Sequence, residues 1–170
     1  RSEYVPRYPG FERLFGVQLE AARGAHIKWP DSLGQLPGDG DPQVRLFQAM
    51  DSALRRLDTV RNEFDVVLVH FPDSWGAATR SKFFDAHDAL KALGAKYNIP
   101  TQVLNDRVFT FNYKASLAWR LATALYVKAA GTPWKLAPLK GVPDDTAYIG
   151  LAYALRGDQR YAHYVTCCSQ

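Results

Sequence analysis

Between residues 41 and 62 the apolar positions Val44, Phe47, Met50, Leu54, Leu57 and Val60 recur at intervals of 3, 3, 4, 3 and 3. That is the period of one helical face. Asp41-Pro42 ahead of it is a helix start: a capping carboxylate, then a proline whose missing N–H is no loss in a first turn. The pattern then changes to Asp65-Val66-Val67-Leu68-Val69-His70-Phe71, a β-branched run suited to a central parallel strand covered on both faces. Phe83, Ala86, Leu90 and Leu93 predict a second helix over roughly Thr79 to Leu93, closed by Gly94. Asn98-Ile99-Pro100 turns the chain into a short second strand, Thr101-Gln102-Val103-Leu104. A third helix is predicted from about Lys114 to Ala130, stopped by Gly131-Thr132-Pro133, and Trp134-Lys135-Leu136 reads as a third strand.

Alternating helices and strands predict an α/β fold with a parallel sheet, and right-handed crossovers place binding groups at the carboxyl ends of its strands. Beyond Pro143 the pattern changes. Tyr148 to Leu155, a turn at Arg156-Gly157-Asp158, and Tyr161 to Thr166 predict a β-hairpin that opens a second domain. Residues 1–40, punctuated by Pro and Gly every few positions, read as a linker or lead-in that packs on something else. The expected organisation is therefore 1–40 lead-in, 41–142 α/β domain, 143–170 an incomplete second domain. A start at Arg1 and a stop within the apolar run at Cys167-Cys168-Ser169-Gln170 read as cut ends of a larger protein.

Composition narrows the class. With 170 residues, 47% hydrophobic and 22% charged, the chain is neither disordered, collagenous nor a long coiled coil. It has no apolar run near the roughly 18 residues of a membrane helix. Two adjacent cysteines cannot form an ordinary disulfide, and four scattered histidines without a CxxC argue against structural zinc. A cytoplasmic location is the expectation, with no membrane partner. The net charge of +4 suits a polyanion partner and suits equally a mildly basic surface with none.

Phe71-Pro72-Asp73-Ser74-Trp75-Gly76 is neither a dinucleotide fingerprint nor a P-loop, and HExxH and GxSxG are absent. Asp144-Asp145 reads as a pair of solvated turn residues. The informative residues are polar groups in inconvenient places. Leu117, Leu121 and Ala124 step along the third helix, and Lys128 is the next position of that seam. An ammonium there needs an anion, or else it snorkels to water and caps the last carbonyls. His87 and Lys91, four apart, share a helical face that is either solvated or functional, and Gln102 in an apolar strand is either a satisfied core amide or a ligand. Taken together, two lysines and an amide can converge on one phosphate, with the imidazole as a stacking platform for a base. Helix N-termini facing the strand ends would add N–H donors.

The stretch from about Asp65 to Leu136 resembles the MID domain of Argonaute/PIWI proteins, particularly the prokaryotic ones. In that family an aromatic residue and a lysine four positions later precede a short strand carrying glutamine, and a second lysine follows before a small-residue-Gly turn. Here these are His87, Lys91, Gln102 and Lys128, the last in Lys128-Ala129-Ala130-Gly131. The resemblance implies a Rossmann-like MID domain that binds the 5′-phosphorylated end of a single-stranded guide RNA or DNA and, through it, a target strand. Lys91, Gln102 and Lys128 would hold the phosphate, His87 would stack on the first base, and a Mg²⁺ ion would join the phosphate to the protein's C-terminal carboxylate. Residues 143–170 would begin a PIWI domain. Many relatives have Tyr at the place of His87, and eukaryotic ones a further lysine at the place of Ala124. Ala152 stands where slicing members carry a metal-binding Asp, which implies no enzymatic activity and an output supplied by an associated effector protein in nucleic-acid-guided defence. The alternatives are a nucleotide-binding flavodoxin-like domain and a ligand-free protein interaction domain.

Overall fold

In a computed structural model of the chain, a short helix α1 (Phe11–Phe15) precedes the first long one, α2 (Pro42–Asp58). The structure describes residues 7–34, 40–135, 137, 140–143, 146, 148–150, 154–156, 159–161 and 167–169. Asp41 caps α2 as predicted, its Oδ1 accepting a hydrogen bond from the Gln43 backbone N–H at 2.8 Å. The buried face is Leu46, Met50, Ala53, Leu54 and Leu57, whereas Phe47 is 41% exposed and Val44 more so. The predicted stripe was therefore rotated by about one position at its N-terminal end. Both stripes are apolar, and the neighbouring elements, not the period, choose between them.

Strand β1 (Val67–Phe71) follows, then a one-turn helix α3 (Gly76–Thr79), helix α4 (Ala86–Lys96) and strand β2 (Thr101–Asn105). β1 and β2 are parallel, in the register Val67↔Thr101 to Phe71↔Asn105. Val69 and Phe71 are buried, but Leu68 and His70 on the opposite face are exposed. The strand expected to be covered on both faces thus has one buried face. A one-turn helix α5 (Arg107–Thr110) leads to α6 (Lys114–Lys128), which packs against β2. Trp134 and Lys135 form no strand, and Trp134 is 68% exposed, so the parallel sheet has two strands among the described residues. The chain is mixed α/β, and no described helix is long and apolar enough to cross a membrane.

The helix predicted over Thr79 to Leu93 is interrupted. Ser81 Oγ accepts from the backbone N–H groups of Phe83 and Phe84, and Arg80 bridges to Asp85. Asp85 then caps α4 by accepting from His87 N at 2.9 Å and Asp88 N at 3.4 Å. Short polar side chains compete here with the helical backbone for its donors, and they win. Phe83, expected to face inward, is 88% exposed. Nor does Gly94 end the helix. It lies buried within α4, where an added Cβ would stand 2.8 Å from the carbonyl oxygen of Ile99.

The lead-in contributes to the same core. Trp29 stacks on Phe71 at 6.4 Å, the Trp75 indole N–H donates to the Asp31 carbonyl at 2.9 Å, and Phe15 stacks on Tyr126 of α6 at 4.2 Å. The chain folds as two compact units, Arg1–Pro133 and Trp134–Gln170. In the second, β3 (Tyr148–Gly150) pairs antiparallel with β6 (Cys167–Ser169), and β4 (Ala154–Arg156) with β5 (Gln159–Tyr161). Residues 151–153, inside the predicted first strand of the hairpin, lie outside the described residues, as do Asp144 and Asp145.

Asp51 ties α2 to the end of α4. It accepts from the Tyr97 hydroxyl at 2.8 Å, from Lys96 at 3.0 Å and from Arg55 at 2.6 Å. These contacts, the hydroxyl foremost, hold its carboxyl down at about 2. A carboxyl lowered in the folded state is protonated first in the unfolded chain. Its contribution is therefore complete above the ordinary value near 4 and is lost as pH falls towards 2. Asp51→Asn should lower the melting temperature by a constant amount between about pH 5 and 7, with the gap closing near pH 2. A gap that survives at pH 2 would show that the charge of Asp51 is not what ties the helices.

Gly94 gives a second test. In a helix interior Gly→Ala ordinarily stabilises by about 1 kcal/mol. Here the added methyl meets the backbone of Ile99 and the side chain of Thr101. Gly94→Ala should instead destabilise by about 1–3 kcal/mol in urea titrations, and a gain would mean that helix and strand part without loss.

Candidate functional site

The ends of α4 and α6 meet the start of β2. Between them lies a shallow cleft of about 290 Å³, lined by Lys91, Gly94, Asn98, Pro100, Thr101 and Lys128 among others. Lys91 enters from the middle of α4, and Lys128 is the last residue of α6. Val103 packs into the core, so its neighbour Gln102 points to the other face of the strand, towards α6. The Lys128 ammonium donates to the Thr101 backbone carbonyl and to Gln102 Oε1, the latter at 2.8 Å. Gln102 Nε2 in turn donates to the Val103 carbonyl at 3.0 Å.

Burial first, and then Lys91 across the cleft, push the Lys128 ammonium below the usual lysine range. The arrangement departs from the snorkelling, helix-capping reading of the sequence. Lys128 does not cap the carbonyls of its own helix, and its partners on β2 are neutral oxygens. No carboxylate lines the cleft among the described residues.

Of the four residues singled out, Lys91 and Lys128 share the cleft, and Gln102 stands behind Lys128 without lining it. His87 is not among the lining residues. It lies exposed one turn earlier on the same face of α4, with Nδ1 3.7 Å from Asp88 Oδ1. Asp85, His87 and Asp88 bring ligand atoms within 4.8 Å of one another, but Asp85 is already engaged in capping α4 and lies 3.4 Å from Arg80. Two ammonium groups and no acid do not fit a resident Mg²⁺ in the cleft itself.

The position of the cleft corrects a second expectation. It lies at the amino end of β2, not at the carboxyl ends of the strands, and helix C-termini face it. A helix that feeds a strand ends where that strand begins, so a site built at this junction meets the negative ends of helix dipoles. Both helices end in the same way. Asn98 N donates to Ala95 O and Ile99 N to Gly94 O; Ala130 N donates to Val127 O and Gly131 N to Tyr126 O. These are Schellman motifs, with Asn98 (φ 52°) and Ala130 (φ 63°) in the left-handed region. The carbonyls of Gly94, Ala95, Tyr126 and Val127 are thereby occupied.

At the carboxyl ends, His70 Nε2 lies 2.8 Å from Asp106 Oδ1, and Asp106 Oδ2 accepts from Asp73 N at 2.9 Å. The Asp73 N–H first, and then His70, hold the Asp106 carboxyl below the usual range. His70 and Asp106 are 36 positions apart, and only the parallel register joins them. The one hint in the sequence was an imidazole at the end of an apolar run. A larger cavity of about 420 Å³, between residues 25–31, α2 and β1, is lined mainly by core side chains such as Met50, Leu54 and Trp75.

No family model matches the chain, and no curated protein matches it. The site therefore stands on its geometry. Ala152, where the resemblance replaces a catalytic acid, lies outside the described residues.

An alanine in the left-handed region carries a penalty that glycine does not. Ala130→Gly should therefore stabilise the chain by about 1 kcal/mol in chemical denaturation, against the usual loss for glycine elsewhere. Lower stability would show that the end of α6 is not under this strain.

Proposed function

We propose that the chain is a MID-like domain that binds the 5′-phosphorylated end of a single-stranded guide RNA or DNA. In this reading the two-stranded sheet belongs to a Rossmann-like scaffold, and the antiparallel strands after residue 143 are the start of a PIWI-like domain. The setting is a catalytically inactive prokaryotic Argonaute of the cytoplasm, whose output in nucleic-acid-guided defence comes from an associated effector protein.

The observation that carries the reading is the convergence of Lys91 and Lys128 from two helices on one cleft with no carboxylate among its described lining residues. Like charges held face to face repel, and an anion between them relieves both. A terminal phosphate monoester, at about −1.5 to −2, matches two ammonium groups better than the single charge of an internal diester. His87, exposed one turn away on α4, would offer its ring to the first base. The flavodoxin-like alternative places its ligand at the carboxyl ends of the strands, whereas the lysines lie at the amino end of β2.

Two charge-assisted contacts predict that a 5′-phosphorylated oligonucleotide binds at least about tenfold more tightly than its 5′-hydroxyl twin. Lys128→Met should remove most of that difference in a competition assay. Equal affinities of the two oligonucleotides for the unaltered chain would reject the reading.

A further inference from the structure

We infer that Phe15 and Tyr126 are positioning residues of the cleft: stacked on one another, they hold the last turn of α6 from behind and so fix where Lys128 stands. The segment ahead of the α/β domain thereby governs recognition of the phosphate. The inference rests on the anion-binding reading of the cleft and concerns what keeps one of its two cations in place.

Lys128 is the last residue of α6, so its place is only as definite as that helix end. Helix ends fray unless something holds them. In front, the Lys128 ammonium donates to the Thr101 carbonyl and to Gln102 Oε1 on β2. Tyr126 lies about 200° around the helix from Lys128, and so faces away from β2. There its ring stacks on Phe15, with centres 4.2 Å apart and planes within 9°. Phe11, one turn earlier on α1, meets both rings edge-on, 6.2 Å from Tyr126 and 5.0 Å from Phe15. A second attachment lies about two turns back on the same face of α6. The Trp119 indole N–H donates to the Arg7 carbonyl at 2.9 Å, and Tyr8 meets that indole edge-on at 6.1 Å. The lead-in is thus fastened at two points to the back of the helix whose front packs on β2.

Tyr126 is also the residue on which the end of α6 turns. Its carbonyl accepts from Gly131 N, and its ring lies so close to Gly131 that an added Cβ would stand 2.5 Å from Cζ. Gly131 is not in the left-handed region, so the ring, and not the backbone conformation, excludes a side chain there. One ring therefore ties α1 to the chain on both sides of Lys128, at position 126 before it and 131 after it. Neither Phe15 nor Tyr126 belongs to the buried core cluster, so the pair can be altered without opening that core.

The test uses Phe15→Leu, which keeps an apolar side chain and loses the stack, and Tyr126→Phe, which keeps the stack. Affinities for the 5′-phosphorylated and 5′-hydroxyl oligonucleotides are measured on the whole chain, with and without Lys128→Met. Exchange of the Gly131 amide and the NMR signal of the Lys128 side chain, assigned by its loss in Lys128→Met, are followed without oligonucleotide. Phe15→Leu should lower the phosphate preference by about two- to tenfold, the range that one aromatic stack spans, and leave the affinity for the 5′-hydroxyl form unchanged. Gly131 exchange should quicken by a similar factor, and the Lys128 signal should shift. Tyr126→Phe should match the unaltered chain throughout. In the Lys128→Met chain, Phe15→Leu should lower the remaining preference no further.

An unchanged phosphate preference in Phe15→Leu overturns the inference. So do equal losses for the two oligonucleotides, or a fall by the same factor in the Lys128→Met chain, since the pair then does not act through Lys128. Failure of the unaltered chain to distinguish the oligonucleotides would instead reject the guide-binding reading. The Lys128 signal would still decide whether the stack sets its place, an unmoved signal in Phe15→Leu showing that it does not.

Discussion

Helix α4 ends flush against the start of the strand it feeds, and it does so at Gly94, where the chain carries no side chain. A methyl group there would meet the Ile99 carbonyl at 2.8 Å and the Thr101 side chain at 3.3 Å. Because α4 lies so close, its Lys91 shares a cleft with Thr101 at the first position of β2. The contact also carries the Schellman bond from Ile99 N to Gly94 O, which turns the chain sharply enough to enter the strand at once. One turn further along, Lys96 and Tyr97 reach Asp51 and lock the same helix end to α2. The turn into β2 and the cleft both sit at this one approach.

The electrostatics of the cleft follow from its place at a helix-to-strand junction. Helix C-termini bring partial negative charge, which suits lysines and opposes an anion. Capping bonds occupy the carbonyls of Gly94, Ala95, Tyr126 and Val127, and Lys128 takes two oxygens of β2. The two charged side chains among the cleft's described lining residues, Lys91 and Lys128, are both basic. The cost is internal repulsion: Lys128 is partly desolvated and faces Lys91. On the proposed reading, one ligand carrying more than one negative charge would answer both cations.

Much of the local structure was legible in the residues. Asp41-Pro42 marks the start of α2, the Val67 to Phe71 run makes a parallel strand, and Lys114 opens α6, because caps and hydrophobic period act within one or two turns. The four-residue spacing of His87 and Lys91 likewise sets them on one face of a helix. Other readings failed where two local preferences competed. Ser81 and Asp85 both offer acceptors to nearby N–H groups, and the chain there forms a loop and a new cap instead of a continuous helix. Phe83 consequently left the apolar stripe to which its spacing had assigned it. Similarly, Leu46 displaced Phe47 from the core although both fit a helical period.

The chemistry of the cleft divides along the same line. By itself the sequence determined that lysines and an amide lie on particular elements, and that Lys128 sits on a partly apolar seam. Only the tertiary structure decided what they meet. Lys128 turned neither to an acid nor to its own helix end, but across 26 positions to Gln102, because α6 lies on the strand face that carries this amide. The joining of His70 to Asp106, and the placing of the lysines at the amino end of β2, were decided in the same way. Hydrophobic period and capping are short-range and can be read along the chain. The direction in which a long polar side chain finds its partner depends on desolvation and on which backbone comes near, and both arise only when the elements pack.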